Sequence, residues 1–188
     1  MKLSEWKKYQ VIREMSNLRD PLQSFSMREL AITIPTPIGE MYATSDFSAI
    51  TGTGWGPKPH SHICGSNEIL EWVRNWFDGY FVGEIIEIPP IKKCGLSAFA
   101  SDVITALSEQ VPYGTTISYN ELGVISGYQN SSRAVGSVMS KNPWPILVPC
   151  HRVIASNGDV GNYSGNGGQM TKLRLIKMEK NHSGRIFR

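Results

Sequence analysis

Residues 142–153 read Asn-Pro-Trp-Pro-Ile-Leu-Val-Pro-Cys-His-Arg-Val, and the most informative motifs of the chain lie on either side of them. Most of the run before Cys150 is apolar, so this cysteine is expected at the inner edge of a buried segment. It is either a small core residue, since free cysteine is often buried, or a thiolate nucleophile activated by an imidazole. The adjacent His151 does not decide between these interpretations, because functional partners meet in space rather than in sequence.

Composition is that of an ordinary globular protein, with 40% hydrophobic and 19% charged residues among 188. No apolar run approaches the roughly 18 residues of a membrane span, and no signal-peptide core follows the N-terminus. Three cysteines, an odd number, do not suggest a secreted disulfide framework. We therefore expect an intracellular protein with no membrane association. Residues 93–188 carry ten Lys/Arg against five Asp/Glu, a mild basic bias that permits a polyanionic partner.

The first 90 residues have the pattern of a small sheet covered by a helix. Strands are predicted at 30–34, 40–44 and 47–51, with a turn over 35–39 and a loop over 52–57. Ser66 can cap a helix that runs to about Asp78, with Gly79 and Gly83 at its end. A surface helix is predicted over 2–20 and a further strand over 85–88. Pro89-Pro90 marks a domain boundary, so residues 1–90 are expected to form an α+β domain without chemistry of its own.

A possible metal site is weighed at His60, His62 and Cys64. Their alternate spacing would place all three side chains on one face of a strand. Zinc takes four ligands, and no fourth is evident nearby. We therefore predict no metal site, and interpret the segment as a polar loop or strand.

Residues 91–188 are expected to form a second, mostly helical domain. Ser118 and Glu121 have the spacing of a capping box, which starts a short helix ending near Gly127. Ser131 or Ser132 can cap the next helix, over 133–139, and the pair resembles a helix-turn-helix. Small residues in the second helix, Ala134, Gly136 and Ser137, indicate either tight helix packing or close approach to another backbone, with Arg133 projecting from its first turn.

A glycine-rich loop over 161–168 precedes a last helix, expected from about Met170 to Lys180. Its glycines, with an interleaved tyrosine and serine, suit a pocket wall where backbone approaches a flat ligand. In the helix Lys172, Leu175, Ile176 and Glu179 share one face. A carboxylate on such a face lies at the core margin or pairs with a group inside, for which His151 is the natural candidate.

Together these motifs resemble the O6-alkylguanine-DNA alkyltransferases, also called methylated-DNA–protein-cysteine methyltransferases. The resemblance covers roughly residues 95–180 and rests on the order and spacing of segments 111–114, 118–119, 133–136, 142–143, 148–153, 161–165 and 172–179. Pro149-Cys150-His151-Arg152-Val153 is its most specific part. The N-terminal half matches only in outline, where the family carries a ribonuclease-H-like α+β domain. The implied fold is therefore α+β with two domains, 1–90 and 91–188, the second containing the helix-turn-helix.

The resemblance implies a single-use repair reaction without a cofactor. A guanine alkylated at O6, or a thymine alkylated at O4, would be flipped out of double-stranded DNA, and its alkyl group would move irreversibly to Cys150. His151 would act through a water and be oriented by Glu179. Tyr119 would meet a ring nitrogen of the base, and Asn142 would hold the active-site turn.

Further roles follow from the same resemblance. The pocket would be formed by Met139, Val153, Tyr163 and Ser164, and DNA would be bound by Arg133, Ala134, Gly136 and Ser137. The protein would be a monomer, and cooperative binding along DNA is left open. It would work in the cytoplasm, or in the nucleus of a eukaryote. One departure is the segment 166–171, about two residues longer than the usual family loop.

Three alternatives remain open from the sequence. The first is a non-catalytic alkyltransferase-like protein that binds damaged DNA. Such proteins lack the acceptor cysteine, which is present here as Cys150. The second is a cysteine hydrolase using Cys150, His151 and Glu179, which would leave the Arg133 helix unexplained. The third is a plain DNA-binding module with a structural cysteine.

Overall fold

The computed structural model describes residues 29–59, 62–84 and 86–186, and shows an α+β chain. The helix predicted over 2–20 lies outside these residues. Four strands form one sheet in the order β3-β2-β1-β4: β1 (Leu30–Thr36), β2 (Gly39–Ser45), β3 (Ile50–Trp55) and β4 (Ile63–Cys64). The first three pair antiparallel, and β4 lies parallel to β1. The first two predicted strands are therefore confirmed, each slightly longer than predicted.

The third strand corrects the sequence prediction. It occupies Ile50–Trp55, so most of the segment predicted as a loop is strand. The glycines that suggested a loop have a packing reason. A Cβ added at Gly54 would lie 2.4 Å from the hydroxyl oxygen of Tyr42 on β2, so the ring of Tyr42 covers this position. Glycine here admits a cross-strand aromatic ring rather than ending the strand.

Helix α1 (Glu68–Val82) begins and ends later than predicted. Its cap is Asn67 rather than Ser66, because Asn67 Oδ1 accepts from the backbone N–H of Leu70 at 2.8 Å. Gly79 does not end the helix. Gly79 lies within the helix, and its lack of a side chain makes room for Ile86. A Cβ at Gly79 would lie 2.2 Å from Ile86 Cδ1. The helix ends at Gly83, whose φ of 86° is left-handed.

The strand predicted over 85–88 is wrong for its described residues, 86–88, which are irregular. Two indoles of α1 donate hydrogen bonds to this segment. Trp72 Nε1 donates to the carbonyl of Glu87 and Trp76 Nε1 to the carbonyl of Ile86, each at 3.1 Å. Side chains thus satisfy the backbone groups that a ladder would have used. The following residues pair with Ile50 of β3. The backbone N–H of Ile50 donates to the carbonyl of Pro90 at 2.8 Å, and the backbone N–H of Lys92 donates to the carbonyl of Ile50 at 2.9 Å.

Helices dominate the second half: α2 (Ala98–Gln110), α3 (Tyr119–Ile125), α4 (Ser132–Ser140) and α5 (Gly168–Ile186). The capping box of Ser118 and Glu121 is present in full. Ser131 occupies the cap position of α4 without a side-chain cap, since its hydroxyl donates to the carbonyl of Tyr128 at 2.7 Å. A two-stranded parallel sheet of β5 (Ile117–Ser118) and β6 (Val153–Ile154) brings the start of α3 beside the end of the cysteine segment.

The last helix continues beyond Lys180, where the sequence predicted its end. Ser183 Oγ donates to the carbonyl of Tyr113 at 3.2 Å, and the Tyr113 hydroxyl lies 3.0 Å from His182 Nδ1. These contacts hold the extra turn against the segment after α2.

One continuous core joins the sheet to the helices. Buried side chains run from Ile34 and Met41 of the sheet through Phe77 of α1 to Trp144 and Leu175. Within the described ranges, no helix has both the length and the apolar character needed to cross a lipid bilayer.

Candidate active site

The turn before the cysteine is held by one asparagine. Asn142 Nδ2 donates to the carbonyl of Val148 at 2.9 Å, and Asn142 Oδ1 accepts from the backbone N–H of Trp144 at 3.0 Å. Both groups are buried, so the side chain replaces backbone partners that the turn lacks. The main chain within this turn includes Ile146 at a φ of 75°, in the left-handed region. Asn142 therefore fixes an irregular path directly before Cys150.

Strand β3 supports the same turn from below. Thr53 donates its backbone N–H to the carbonyl of Pro143 at 2.9 Å and its hydroxyl to that of Pro145 at 3.1 Å. Trp144 Nε1 donates to the carbonyl of Ile50 at 3.2 Å. The strand that the sequence assigned partly to a loop is thus the platform on which the cysteine turn rests.

Cys150 lies in a short 3₁₀ turn, Cys150–Arg152, and only 4% of its surface is exposed. It lines a cavity of about 370 Å³ together with Tyr119, Gly136, Met139, Ser140, Asn162, Tyr163, Ser164 and Lys172. Burial raises the pKa of the Cys150 thiol. A hydrogen bond from the Asn142 side chain and the charge of Lys172 lower this pKa, but burial has the larger effect. The thiol therefore needs a base before it can act as a nucleophile.

His151 follows Cys150 directly and is hydrogen-bonded to a buried carboxylate. It is fully buried, and its Nε2 lies 2.7 Å from Glu179 Oε1. Because an ionised carboxylate only accepts, Nε2 carries the proton and the lone pair of the neutral ring is on Nδ1. Nδ1 bonds to nothing in the described part of the chain. Burial lowers the pKa of His151, with the hydrogen bond and charge of Glu179 opposing it.

Glu179 lies on the buried face of α5 that the sequence singled out, and it is 1% exposed. Arg152 donates to it through Nε at 2.9 Å and Nη2 at 3.0 Å, and the backbone N–H of Gly114 donates at 3.0 Å. Burial would raise the pKa of Glu179, but His151 and Arg152, through hydrogen bonds and charge, lower it to about 2. The carboxylate is therefore ionised and fixes the tautomer of His151.

Tyr80 is a member of this cluster that the sequence did not indicate. Its hydroxyl donates to Glu179 Oε1 at 2.7 Å and lies 3.3 Å from His151 Nε2. Tyr80 belongs to α1, so the region expected to have no chemistry of its own brings one hydroxyl to the carboxylate beside His151. The available signal was the aromatic stripe of α1, which reaches Tyr80 once the helix is extended past Asp78.

Lys172 is the second group that was not assigned a role. It is 1% exposed, its Nζ donates to the carbonyl of Val153 at 2.6 Å, and this nitrogen lies 5.9 Å from the ring centroid of Tyr119. Burial lowers the pKa of Lys172, and the charge of Cys150 opposes this. A buried ammonium thus faces the cavity beside the thiol.

Three of the four predicted pocket residues line the cavity. Met139, Tyr163 and Ser164 line the cavity, as does Tyr119 from α3. Burial, and secondarily the charge of Cys150, raises the pKa of both tyrosines, so both hydroxyls remain protonated donors. The side chain of Val153 does not line the cavity and is fully buried, while its carbonyl already accepts from Lys172.

Helix α4 carries the four residues predicted to bind DNA. Arg133, Ala134 and Ser137 are exposed, and Arg133 has no hydrogen bond or ion pair within the described residues. Gly136 lines the cavity, and a Cβ added there would come no closer than 3.9 Å to the Tyr119 ring. Packing within the chain therefore does not require this glycine, which disfavours the helix-packing interpretation.

The glycine-rich loop over 161–168 rests on the sheet. A Cβ at Gly165 would lie 2.3 Å from Tyr163 Cε1 and 2.7 Å from Trp55 Nε1 of β3. Glycine is needed there so that the loop can place Tyr163 and Ser164 at the cavity.

The segment weighed for metal binding has other contacts. His62 lies 2.8 Å from Glu29, Cys64 is exposed on β4, and His60 is outside the described residues. Among the residues with described positions, no three His, Cys, Asp or Glu side chains gather in an arrangement that could hold an ion.

Comparison with known proteins gives a consistent result. Residues 98–181 match the family model described as 6-O-methylguanine DNA methyltransferase, DNA binding domain. The methylated-DNA–protein-cysteine methyltransferase of Mycobacterium leprae is 42% identical over 161 residues, which cover 79% of this chain and 90% of that protein. The human protein of the same name is 37% identical over 69% of this chain.

Solved structures share the fold. A crystal structure of Mycobacterium tuberculosis OGT in complex with DNA superposes with a TM-score of 0.71 at 32% identity, covering 81% of this chain and 94% of that one. The chain spans only part of several mammalian relatives, matching 56% of the Cricetulus griseus protein and 64% of the human one.

Proposed function

Because this chain belongs to the methylated-DNA–protein-cysteine methyltransferase family, we propose that it repairs DNA by taking an alkyl group from guanine O6 onto Cys150. The observation that carries the proposal is a buried thiol at a base-sized cavity, backed by a neutral imidazole and an ionised carboxylate. No cofactor is needed, since the thiol is both the nucleophile and the final acceptor.

The chemistry balances with groups present in the chain. His151 Nδ1 takes the thiol proton, directly or through a water, and the sulfur attacks the alkyl carbon in line with the guanine oxygen. A sulfur–carbon bond forms while the carbon–oxygen bond breaks, and its electron pair goes to the guanine. The protonated hydroxyl of Tyr119 meets the charge that develops on the ring. The thioether offers water no good leaving group, so each molecule reacts once.

DNA would approach through α3 and α4. The exposed Arg133 would enter the duplex in place of the flipped base, and the small side chains of Ala134 and Ser137 would let α4 lie close to the backbone in the minor groove. Minor-groove contacts distinguish bases poorly, which suits a protein that must act in any sequence. Flipping is required because the reactive carbon is inaccessible in the stacked duplex.

The flipped base would be enclosed by the cavity that Cys150 lines. Met139 and Tyr163 would form its walls, and the backbone of Ser164 would read the base edge. Val153 would act behind the cavity, where its carbonyl accepts from Lys172. The longer segment 166–171 would alter the rim and hence the range of alkyl groups accepted. Thymine alkylated at O4 is a second substrate under this proposal, since its reactive carbon carries the same ether bond.

The chain would divide into a ribonuclease-H-like region, 1–90, and an alkyltransferase region, 91–188, and the first would supply Tyr80 and the strand that supports the cysteine turn. The protein would act as a monomer in the compartment that holds the DNA. There Cys64 and Cys94, which are exposed and unpaired in the structure, would stay reduced.

A label-transfer experiment tests the site. DNA with a radiolabelled methyl group on guanine O6 should label the protein, and Cys150→Ala should abolish labelling while Cys94→Ala leaves it intact. Labelling that survives Cys150→Ala would contradict the proposal. Binding of damaged DNA without any labelling of the unaltered chain would favour the non-catalytic alternative. Continued turnover of an ester substrate would favour the hydrolase.

A further inference from the structure

A tyrosine from outside the cysteine segment shares the carboxylate that orients His151. Glu179 Oε1 accepts from the Tyr80 hydroxyl and from His151 Nε2, both at 2.7 Å. The two donors are themselves 3.3 Å apart. Tyr80 is 2% exposed and comes from α1, whereas Glu179 comes from α5.

The hydroxyl is not needed for the packing of the tyrosine ring. The ring stacks on Trp76 at 5.1 Å between centroids and meets Tyr113 edge-on at 5.5 Å, contacts that a phenylalanine would keep. Glu179 would also remain satisfied without it, because Arg152 Nη2 and His151 still reach Oε1. The hydroxyl therefore adds a donor to a carboxylate that already has enough donors to be stable in the core.

We propose that Tyr80 is a positioning residue that limits the basicity of His151 by competing with it for one oxygen of Glu179. A hydrogen bond from the phenol withdraws negative charge from the oxygen that stabilises the imidazolium. His151 is then held as a neutral ring with its proton on Nε2, and Nδ1 stays available for the thiol proton. The inference rests on the proposed alkyl transfer only where it concerns the reaction rate.

The charged and titratable groups around His151 all bear on its protonation. They come from three segments. Tyr80 lies on α1, Cys150 and Arg152 flank His151 in the 3₁₀ turn, and Lys172 and Glu179 lie on α5. Arg152 and Lys172 disfavour the imidazolium, and Glu179 favours it. Burial raises the pKa of Tyr80 well above its ordinary value, with the charge of Glu179 adding to this, so the phenol stays a donor throughout the working range.

The test is Tyr80→Phe, with Tyr113→Phe as the matched control. Tyr113 is a neighbouring, partly buried tyrosine whose hydroxyl bonds to the Tyr80 carbonyl and His182 rather than to Glu179. The pKa of His151 is measured by NMR on histidine-labelled full-length chain, without DNA. Tyr80→Phe should raise it by roughly half to one pH unit, since a hydrogen bond to a charged group is lost. Tyr113→Phe should leave it in place.

The rate of methyl transfer from DNA provides the second readout. Its acid limb should move upward with the pKa of His151 in Tyr80→Phe, and the rate just below the original limb should fall roughly three- to tenfold. An unmoved pKa overturns the inference, and so does an equal loss of rate at every pH or a Tyr80→Phe chain that fails to fold. If the unaltered chain transfers no methyl group, the proposed function fails instead, while the NMR result still decides the role of Tyr80.

Discussion

Glu179 is the residue on which the most groups of the site converge. Its two oxygens accept from His151, Tyr80, Arg152 and the backbone of Gly114. Such a carboxylate does two things at once: it fixes the tautomer of the base, and it neutralises the buried guanidinium of Arg152. Its loss should therefore affect both the reaction and the stability of the fold.

Glu179→Gln should destabilise the protein in a pH-dependent way. The pKa of Glu179 is about 2 in the folded chain against an ordinary 4.5, so its ionisation contributes about 3 kcal/mol. Because the folded pKa is depressed, this stability is complete above pH 4.5 and is lost as the pH falls through 2. Urea unfolding should show the variant about 3 kcal/mol less stable at pH 7, with less than half that difference at pH 3.

The matched control is Glu68→Gln, at an exposed position of α1. It should change little at either pH. A Glu179→Gln chain with the same deficit at pH 7 and pH 3 would show that the loss comes from packing rather than from ionisation.

At this scale the sequence indicated the residues that break a pattern. Cys150 ends an apolar run beside His151, and Glu179 is a carboxylate on an apolar face, so both were recognisable. Tyr80 was not, because an aromatic residue on an aromatic stripe looks like core, and only its hydroxyl differs. Lys172 shared the face of Glu179, but nothing in its spacing showed that its ammonium faces the cavity.

Among the elements, the N-terminal strands and loops were predicted least well. A glycine in a sequence can mark the end of a strand or helix, or a position where another side chain packs directly on the backbone. The sequence alone does not distinguish these two cases. The structure assigns contact at Gly54 and Gly79, where Tyr42 and Ile86 occupy the space of a side chain. The helices of the second half were predicted better because capping and spacing are local signals.

Arg133 on α4 can be tested for its proposed role in replacing the flipped base. Arg133→Ala should slow methyl transfer from duplex DNA by about tenfold or more, because the side chain proposed to replace the flipped base is lost. Reaction with free O6-alkylguanine should change little, since no base has to leave a duplex. Single-turnover rates on the two substrates provide the measurement.

Arg74→Ala is the control for this variant, because it removes the same charge from α1, on the sheet side of the chain. It should leave both rates unchanged. Equal losses on duplex and free base in Arg133→Ala would argue against a role in base replacement.

For the whole molecule, the sheet and the cysteine turn act as one unit. The core is continuous between them, and Thr53 of β3 donates its hydroxyl to the carbonyl of Pro145 at 3.1 Å within it. Thr53→Val keeps the shape but removes this bond and leaves a buried carbonyl without that donor. It should cost about 1–2 kcal/mol of stability and slow methyl transfer, as measured by urea unfolding and single-turnover kinetics.

Thr51→Val provides the comparison. Thr51 also lies on β3, but its hydroxyl bonds to Thr44 within the sheet, at 2.8 Å and partly exposed to solvent. This variant should retain the full rate of methyl transfer. If it slows transfer as much as Thr53→Val does, the effect belongs to the sheet in general and not to its contact with the turn.

The central claim is that Cys150 accepts one alkyl group and is then spent. The most direct measurement is the mass of the intact protein after incubation with an excess of duplex DNA carrying O6-methylguanine, followed by peptide mapping. The account predicts a gain of one methyl group per chain, located on the peptide that contains Cys150, with no further gain at longer times. More than one demethylated base per protein molecule, or a methyl group on any other residue, would contradict it.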